Sequence, residues 1–312
     1  MGLGGSILLT TFVPNSDSML ELLLSIDWTV DPEIIHMNKP LEIGDFKIGP
    51  IRLRWYGLLF ALGFLCCLEI GKRMFKKEGV PETWLESAFI WIFLGTVIGA
   101  RLGHVFFYDW DYYSQHTDEI LMIWRGGLAS HGAVIGILTG LWIYTRTVSK
   151  RPYLWITDRA GAVIPLAGAF IRTGNLMNHE IYGQPADVPW AFVFKLVDGI
   201  PRHPTQIYEA LAYLGVFAIT MYLYWKKDAG KKLGMLTGVF FAGIFGARFV
   251  IEFLKENQSA FEADLPLNMG QLLSIPLVLF GIWLIVRAQQ KGPVELPPPV
   301  IKVKKKATKR SK

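Results

Sequence analysis

Charge is what this sequence has little of. Only 19% of its 312 residues are Asp, Glu, Lys or Arg, where a soluble domain of this length carries about a quarter. Charges nearly vanish from several windows of about twenty residues, each long enough to cross the roughly 30 Å hydrocarbon core of a bilayer as a helix. A soluble globular enzyme and a disordered chain are both excluded on that ground. Cysteine is almost absent. Cys66 and Cys67 are the only two, adjacent inside an apolar run. Neighbours in a helix form no ordinary disulfide, and two residues alone make no metal site. Both read as packing residues facing lipid or another helix. Walker, HExxH and GxSxG motifs are missing, as are internal repeats. His104, His116 and His179 are scattered without metal-ligand spacing. No metal or cofactor is expected. Residues 1–50 have no basic n-region, so a cleaved signal peptide is not expected either.

What is present is apolar: 52% of residues, with a mean hydropathy of +0.33. Seven apolar runs fall at roughly 53–71, 84–107, 128–145, 153–171, 207–225, 233–254 and 271–287. Backbone groups in lipid must be satisfied within the segment, so the runs predict helices. Their frequent glycines suit spanning helices that approach closely. The fold class expected is an all-α integral membrane protein of seven transmembrane helices.

Basic residues fix the orientation. Lys72, Arg73, Lys76 and Lys77 follow span 1. Arg146, Lys150 and Arg151 lie between spans 3 and 4, and Lys226, Lys227, Lys231 and Lys232 between spans 5 and 6. The C-terminal tail adds nine more, from Arg287 to Lys312. All of these fall on one side. The loop between spans 2 and 3 instead carries Asp109, Asp111, Asp118 and Glu119. The C-terminus is therefore expected in the cytoplasm and the N-terminus outside. The net charge of +6 and pI near 9.2 reflect this topology rather than a nucleic-acid partner. Three regions follow: an external arm (1–50), a seven-span body (51–290) and a basic cytoplasmic tail (291–312). A small external cap lies between spans 4 and 5 (about 172–206), where Trp190, Phe192 and Phe194 alternate as in a short strand.

Placed by depth at about 1.5 Å per residue, the polar residues of six spans fall in one outer layer. Tyr56 is near the outer end of span 1, and Arg101 in the outer third of span 2. His131 opens span 3. Arg172, Asn175, Asn178 and Glu180 follow span 4. Arg248 and Glu252 end span 6, and Gln271 opens span 7. An arginine in lipid costs at least ~2.5 kcal/mol on insertion scales and should face a partner or a cavity. Several at one depth suggest an anion site, since the planar guanidinium matches phosphate with two parallel hydrogen bonds. The residues alone point to an enzyme or carrier that grips a phospholipid head group at the outer face. A small-anion or lipid transporter and a phospholipase-type hydrolase stay open. Bland readings stay open too: Arg248 and Glu252 are spaced i,i+4 and could simply pair, Arg101 could be structural, and His131 could be a satisfied buried histidine.

One string narrows this. R-T-G-N-L-M-N-H-E-I-Y-G (172–183) resembles the signature of the bacterial prolipoprotein diacylglyceryl transferases. Four further blocks agree in order and spacing: I-G-P-I-R-L-R-W-Y-G (48–57), G-G-L-A-S-H-G (126–132), R-H-P-T-Q-I-Y-E (202–209), and A-R-F-V-I-E-F with M-G-Q-L-L-S-I-P (247–253 and 269–276). The resemblance covers roughly residues 45–290. Departures include Ile171, Leu176, His104 and Ile244, the last where many members have Tyr. The resemblance implies transfer of the diacylglyceryl group of phosphatidylglycerol to the lipobox cysteine of a prolipoprotein signal peptide. A thioether forms and glycerol 1-phosphate leaves, without cofactor or metal. It implies a multi-pass protein of the bacterial cytoplasmic membrane, among membrane lipids, taken to be a monomer, with its site near the outer leaflet.

That chemistry needs two things. A thiol with pKa near 8.5 must lose its proton, and fixed cations in a low-dielectric site must stabilise the leaving phosphate. The expected catalytic residues are His131 as base, with Arg172 and Arg248 clamping phosphate. Tyr56, Arg101, Asn175, Asn178, Glu180, Gly183 and Glu252 are expected at the substrate: the two asparagines orienting the head group, the two glutamates positioning the arginines, and Gly183 permitting close backbone approach. His203, Glu209 and Gln271 are expected behind them.

Overall fold

The computed structural model describes residues 25–36, 41–43, 46–48, 52–123, 126–127, 129–256 and 265–299. Most of the N-terminal arm and the basic run after Pro299 lie outside the described residues. A long helix stands at each apolar run: α1 (Trp55–Lys77), α2 (Glu82–Phe107), α3 (Ser130–Tyr144), α4 (Tyr153–Met177), α5 (Thr205–Lys226), α6 (Met235–Ile251) and α7 (Met269–Lys291). Five of them are long and apolar enough to cross a membrane: α2, α4, α5, α7, and α6 with its following turn. Helix α3 has only 15 residues and continues as a π-helical turn, Thr145–Ser149. Outward faces carry large apolar side chains such as Phe93, Leu211 and Leu279, each more than half exposed; faces of this kind suit lipid.

Helices consecutive in the chain run antiparallel, whereas α4 and α6 pack start to start, with Gly161 against Thr237. The start of α1 meets the end of α4, where Tyr56 packs on Gly174, and Gly63 faces Ala167 and Phe170. Gly168 of α4 faces Tyr213 of α5, and Gly238 of α6 faces Gly281 of α7. The tightest crossing joins α2 to α3. Gly95, Gly99 and Gly103 stand against Gly132 and Gly136, so near that a Cβ on Gly132 would sit 2.2 Å from the Gly99 carbonyl oxygen. Only small residues allow this approach. Polar groups within the bundle are satisfied locally. Asp158 of α4 is fully buried, and its carboxylate accepts from the backbone N–H groups of Gly234 and Thr237, capping α6. Asn268 and Gln271 form a reciprocal capping box at the start of α7.

Short strands outside the helices add to the all-helical expectation. They are β1 (Ile26–Trp28), β2 (Glu33–His36), β3 (Leu41–Ile43), β4 (Phe46–Ile48), β5 (Arg52–Arg54), β6 (Phe192–Phe194) and β7 (Pro201–Arg202). β6 lies between β1, parallel, and β7, antiparallel. β2 pairs with β5 and β3 with β4, both antiparallel. The strand expected from Trp190, Phe192 and Phe194 is β6, but all three of its residues are buried. Trp190 stands outside it and donates from Nε1 to the Tyr208 hydroxyl.

Candidate active site

Helix α4 continues to Met177. Arg172 and Asn175 therefore belong to its last turns, not to the external connection where the apolar pattern placed them. The chain then turns sharply. His179 and Ile181 have φ of 54° and 58°, a left-handed conformation that costs an L-residue about 1–2 kcal/mol and is rare for a β-branched side chain. Neighbours hold it. The Thr205 hydroxyl donates to the Ile181 carbonyl, the Gln206 amide to the Glu180 carbonyl, and His179 Nε2 lies 2.7 Å from the Val30 carbonyl. Gly183 passes so close to its neighbours that a Cβ would meet the Leu254 carbonyl oxygen at 2.6 Å and the His203 Cβ at 2.8 Å.

The polar side chains of this turn link back to α4. Arg172 donates to Asn175 Oδ1 at 3.3 Å. Asn175 Nδ2 and Asn178 Nδ2 both donate to Glu180 Oε1, at 2.7 and 3.4 Å. Glu180 thus reaches Arg172 through Asn175. The direct carboxylate partner of Arg172 is Glu209, 2.9 Å from its Nε and fully buried. Lys255 Nζ bridges Glu209 Oε1 at 2.9 Å and Glu252 Oε2 at 3.4 Å. Glu252 in turn lies 3.8 Å from Arg248 Nε. The five residues alternate in sign and carry one excess positive charge. Arg172 and Arg248 are the ends of the chain, and the Arg248 side chain is 34% exposed. Tyr213 lies against Arg172, its ring centre 6.0 Å from the guanidinium carbon.

Two of these residues escaped the sequence reading. Tyr213 carried no motif signal. Lys255 did: Arg248, Glu252 and Lys255 follow i, i+4, i+7 spacing on one helical face. Glu209, expected behind the site, is instead ion-paired directly with one of its arginines.

Other expected residues are placed as follows. Tyr56 packs on Gly174, two residues beyond Arg172 in α4. Gln271 reaches the Phe249 carbonyl at 3.5 Å, and Gly270 touches the Glu252 carboxyl group. His203 Nδ1 lies 3.2 Å from the Tyr208 hydroxyl. Arg101 is not available as an anion ligand. It is 1% exposed, and its guanidinium donates to the carbonyls of Glu119, Ile120 and Gly126, at 2.6–2.7 Å. Those bonds shape the loop between α2 and α3, so the expectation that Arg101 binds substrate gives way to a structural role. His131 is exposed in the first turn of α3, its side chain making no ring contact, hydrogen bond or ion pair to another described residue.

On the exposed side of the turn, an open cavity of about 370 Å³ is lined by Asp31, Pro32, Glu33, Arg54, Asn178 and Glu180. Asn178 Oδ1 is buried without a hydrogen bond among the described residues. The N-terminal strands thus help wall the site. Nearby, Arg202 donates to Asp198 at 2.6 Å and to Glu256 at 2.6 Å; the hydrogen bonds from Arg202 hold the Asp198 carboxyl below its usual range.

Comparison with known proteins agrees in one direction. Residues 45–287 match a family model described as prolipoprotein diacylglyceryl transferase. A phosphatidylglycerol–prolipoprotein diacylglyceryl transferase of Chloroherpeton thalassium is 47% identical over 250 residues, covering 80% of this chain and 93% of the relative. One from Porphyromonas gingivalis is 49% identical over 284 residues, covering 86% and 96%. One from Tolumonas auensis is 42% identical over 266 residues, covering 85% and 98%.

Proposed function

The chain belongs to the prolipoprotein diacylglyceryl transferase family, and on that premise we propose how its site works. It transfers the diacylglyceryl group of phosphatidylglycerol to prolipoproteins, the first step of lipoprotein maturation. The acceptor is the thiol of the lipobox cysteine.

The observation that carries this reading is the buried chain Arg172–Glu209–Lys255–Glu252–Arg248 with its excess positive charge. The thiolate sulfur attacks the CH₂ carbon of the diacylglyceryl unit that bears the phosphate. A C–S bond forms and the C–O bond to the phosphate breaks. The electron pair stays on the phosphate oxygen, so a singly charged diester becomes a glycerol phosphate of higher charge. Arg172 and Arg248 receive that charge. Glu209, Lys255 and Glu252 hold the guanidinium groups in position beforehand, which is where fixed charges are most effective. Without them, two isolated arginines at this depth would repel and turn toward water. Asn175 and Asn178, held by Glu180, orient the glycerol head group toward the cavity beside Glu33. Tyr56 hydrogen-bonds lipid or peptide. His131 accepts the thiol proton.

All seven helices span the bacterial cytoplasmic membrane, N-terminus outside. The Lys and Arg clusters support this orientation, and the antiparallel packing puts the starts of α1, α3, α5 and α7 at the same end as the finishes of α2, α4 and α6. Both substrates enter from the membrane plane, and one copy of the chain suffices.

Purified protein incubated with phosphatidylglycerol and a lipobox peptide tests the reading. The peptide should gain the diacylglyceryl mass, and only when both substrates are present. Release of diacylglycerol or phosphatidate without peptide would make the protein a hydrolase instead.

A further inference from the structure

The end of the bundle opposite the signature turn holds a second polar cavity, of about 350 Å³. Arg159 on its wall lies about 20 Å along α4 from Arg172 at 1.5 Å per residue. Most charges around it are matched. Glu78, just after α1, is saturated: its Oε1 accepts from Arg159 Nε and Nη2 at 2.9 and 2.7 Å and from the Tyr224 hydroxyl at 2.7 Å, and its Oε2 accepts from Trp155 Nε1 at 2.9 Å. Asp228 is shared between Lys77 at 3.3 Å and Lys231 at 3.9 Å.

Besides the exposed Glu295 on the wall, Arg151 is the exception. Its side chain is 10% exposed, and its guanidinium lies over the rings of Trp155, at 4.8 Å, and Trp84, at 5.8 Å. Its carboxylate partner is the saturated Glu78, 3.9 Å away, and the guanidinium's one hydrogen bond among the described residues is a 3.4 Å contact to the Pro297 carbonyl. Burial pulls its pKa below the ordinary guanidinium value. A buried cation with so little compensation is costly on its own, and a planar guanidinium favours a phosphate partner. Lys77 and Lys231 stand on the rim.

Two features point to a lipid. Lys77 Nζ lies 4.8 Å from the ring centre of the buried Tyr224 and 4.9 Å from that of Trp225, and Trp225, 40% exposed, suits the membrane–water interface. One wall is the chain segment Val294–Leu296, tied by Val294 N–H to the Lys231 carbonyl at 2.8 Å. In sequence it leads into Lys302, Lys304, Lys305, Lys306, Lys309, Arg310 and Lys312, a run suited to an anionic leaflet.

We propose that this cavity binds the phosphate of an anionic phospholipid in the cytoplasmic leaflet, with Arg151 as the buried contact and Lys77 and Lys231 at the rim. The site is separate from the transfer site and shares with that reading only the orientation of the helices.

The test follows thermal unfolding of the full-length protein in phosphatidylcholine nanodiscs, with and without a minor fraction of dioleoylphosphatidic acid. That lipid has no glycerol head group to be displaced, so turnover does not enter the readout. The anionic lipid should raise the midpoint in wild type and should still raise it in Arg172→Ala. Lys231→Gln, on an exposed side chain, and Arg151→Gln should each lose at least half of the shift, and Arg151→Lys should recover part of it. Inorganic phosphate should give no comparable shift. The proposal is overturned if both glutamine variants keep the full shift, if Arg172→Ala alone removes it, or if inorganic phosphate reproduces it.

Discussion

Glu209 and Lys255 form an ion pair 2.9 Å long with both side chains sealed from solvent, 0% and 3% exposed. One comes from the first turns of α5 and the other from just beyond α6. Two charges this deep are stable only in company, because desolvation costs several kcal/mol per ion. Their company is Arg172 on one side and Glu252 with Arg248 on the other. The pair is thus the link that ties the two arginines into one object.

Breaking the link should therefore be worse than neutralising it. Lys255→Met leaves Glu209 and Glu252 facing each other in a buried site, and a cost of about 3–5 kcal/mol is expected. Adding Glu252→Gln removes the stranded charge and should recover a substantial part. Unfolding of the two single variants and the double variant, compared as a cycle, measures this. Additive losses would mean that the residues are not coupled.

The thiol proton gives a kinetic prediction. His131→Gln should lower turnover by about 100-fold or more, the typical contribution of a general base. Rates measured at matched protein levels check this, and a near-normal rate would assign the proton to another acceptor.

The connection between α4 and α5 should carry an acid-sensitive contact. The Asp198 carboxyl is held below its usual range by its hydrogen bonds from Arg202. Its stabilising contribution is present above the unfolded carboxylate pKa, about 3.9, and is lost as pH falls through the lower folded value. Asp198→Asn should thus be less stable than wild type near neutrality, and the gap should close in strong acid. Protease nicking of residues 184–204 across pH reads this out.

Helix packing offers a fourth prediction. Gly132→Val would bring a side chain within 2.2 Å of the Gly99 carbonyl oxygen. Backbone cannot yield as a flexible side chain can, so α2 and α3 must separate. Loss of several kcal/mol of stability is expected from such overpacking, whereas valine at Gly215 of α5, with nothing within 4 Å of its added carbon, should be tolerated. Comparative thermal unfolding of the two variants decides.

Much of the helix pattern was legible because lipid demands it: every spanning segment needs about twenty apolar residues, and all seven runs coincide with helices. The error on α4 has the same origin. Arg172 read as the end of a span, whereas its buried partner Glu209 lets the helix carry it further. Depth grouped Arg172, Arg248 and Glu252, which one ion-pair chain joins, but it did not show the pairing inside that chain. Arg172 and Glu209 lie on different helices, and no local spacing relates them. Nor could depth reveal that Arg101 is spent on the carbonyls of a loop twenty residues away, since a buried arginine looks the same in sequence whether it awaits a phosphate or holds a turn. Strained φ at Ile181 was likewise invisible, because β-branched residues rarely adopt it.

The central claim is that Arg172 and Arg248 together hold the phosphate while sulfur displaces it. Diacylglyceryl mass gained by a lipobox peptide in a single turnover, measured for Arg248→Ala in protein shown to fold like wild type, tests it most directly. Arg248 is the more exposed end of the chain and its loss should spare the fold. The rate should fall by at least about 100-fold, as for loss of one fixed donor to a developing oxyanion. A rate close to wild type would contradict the claim.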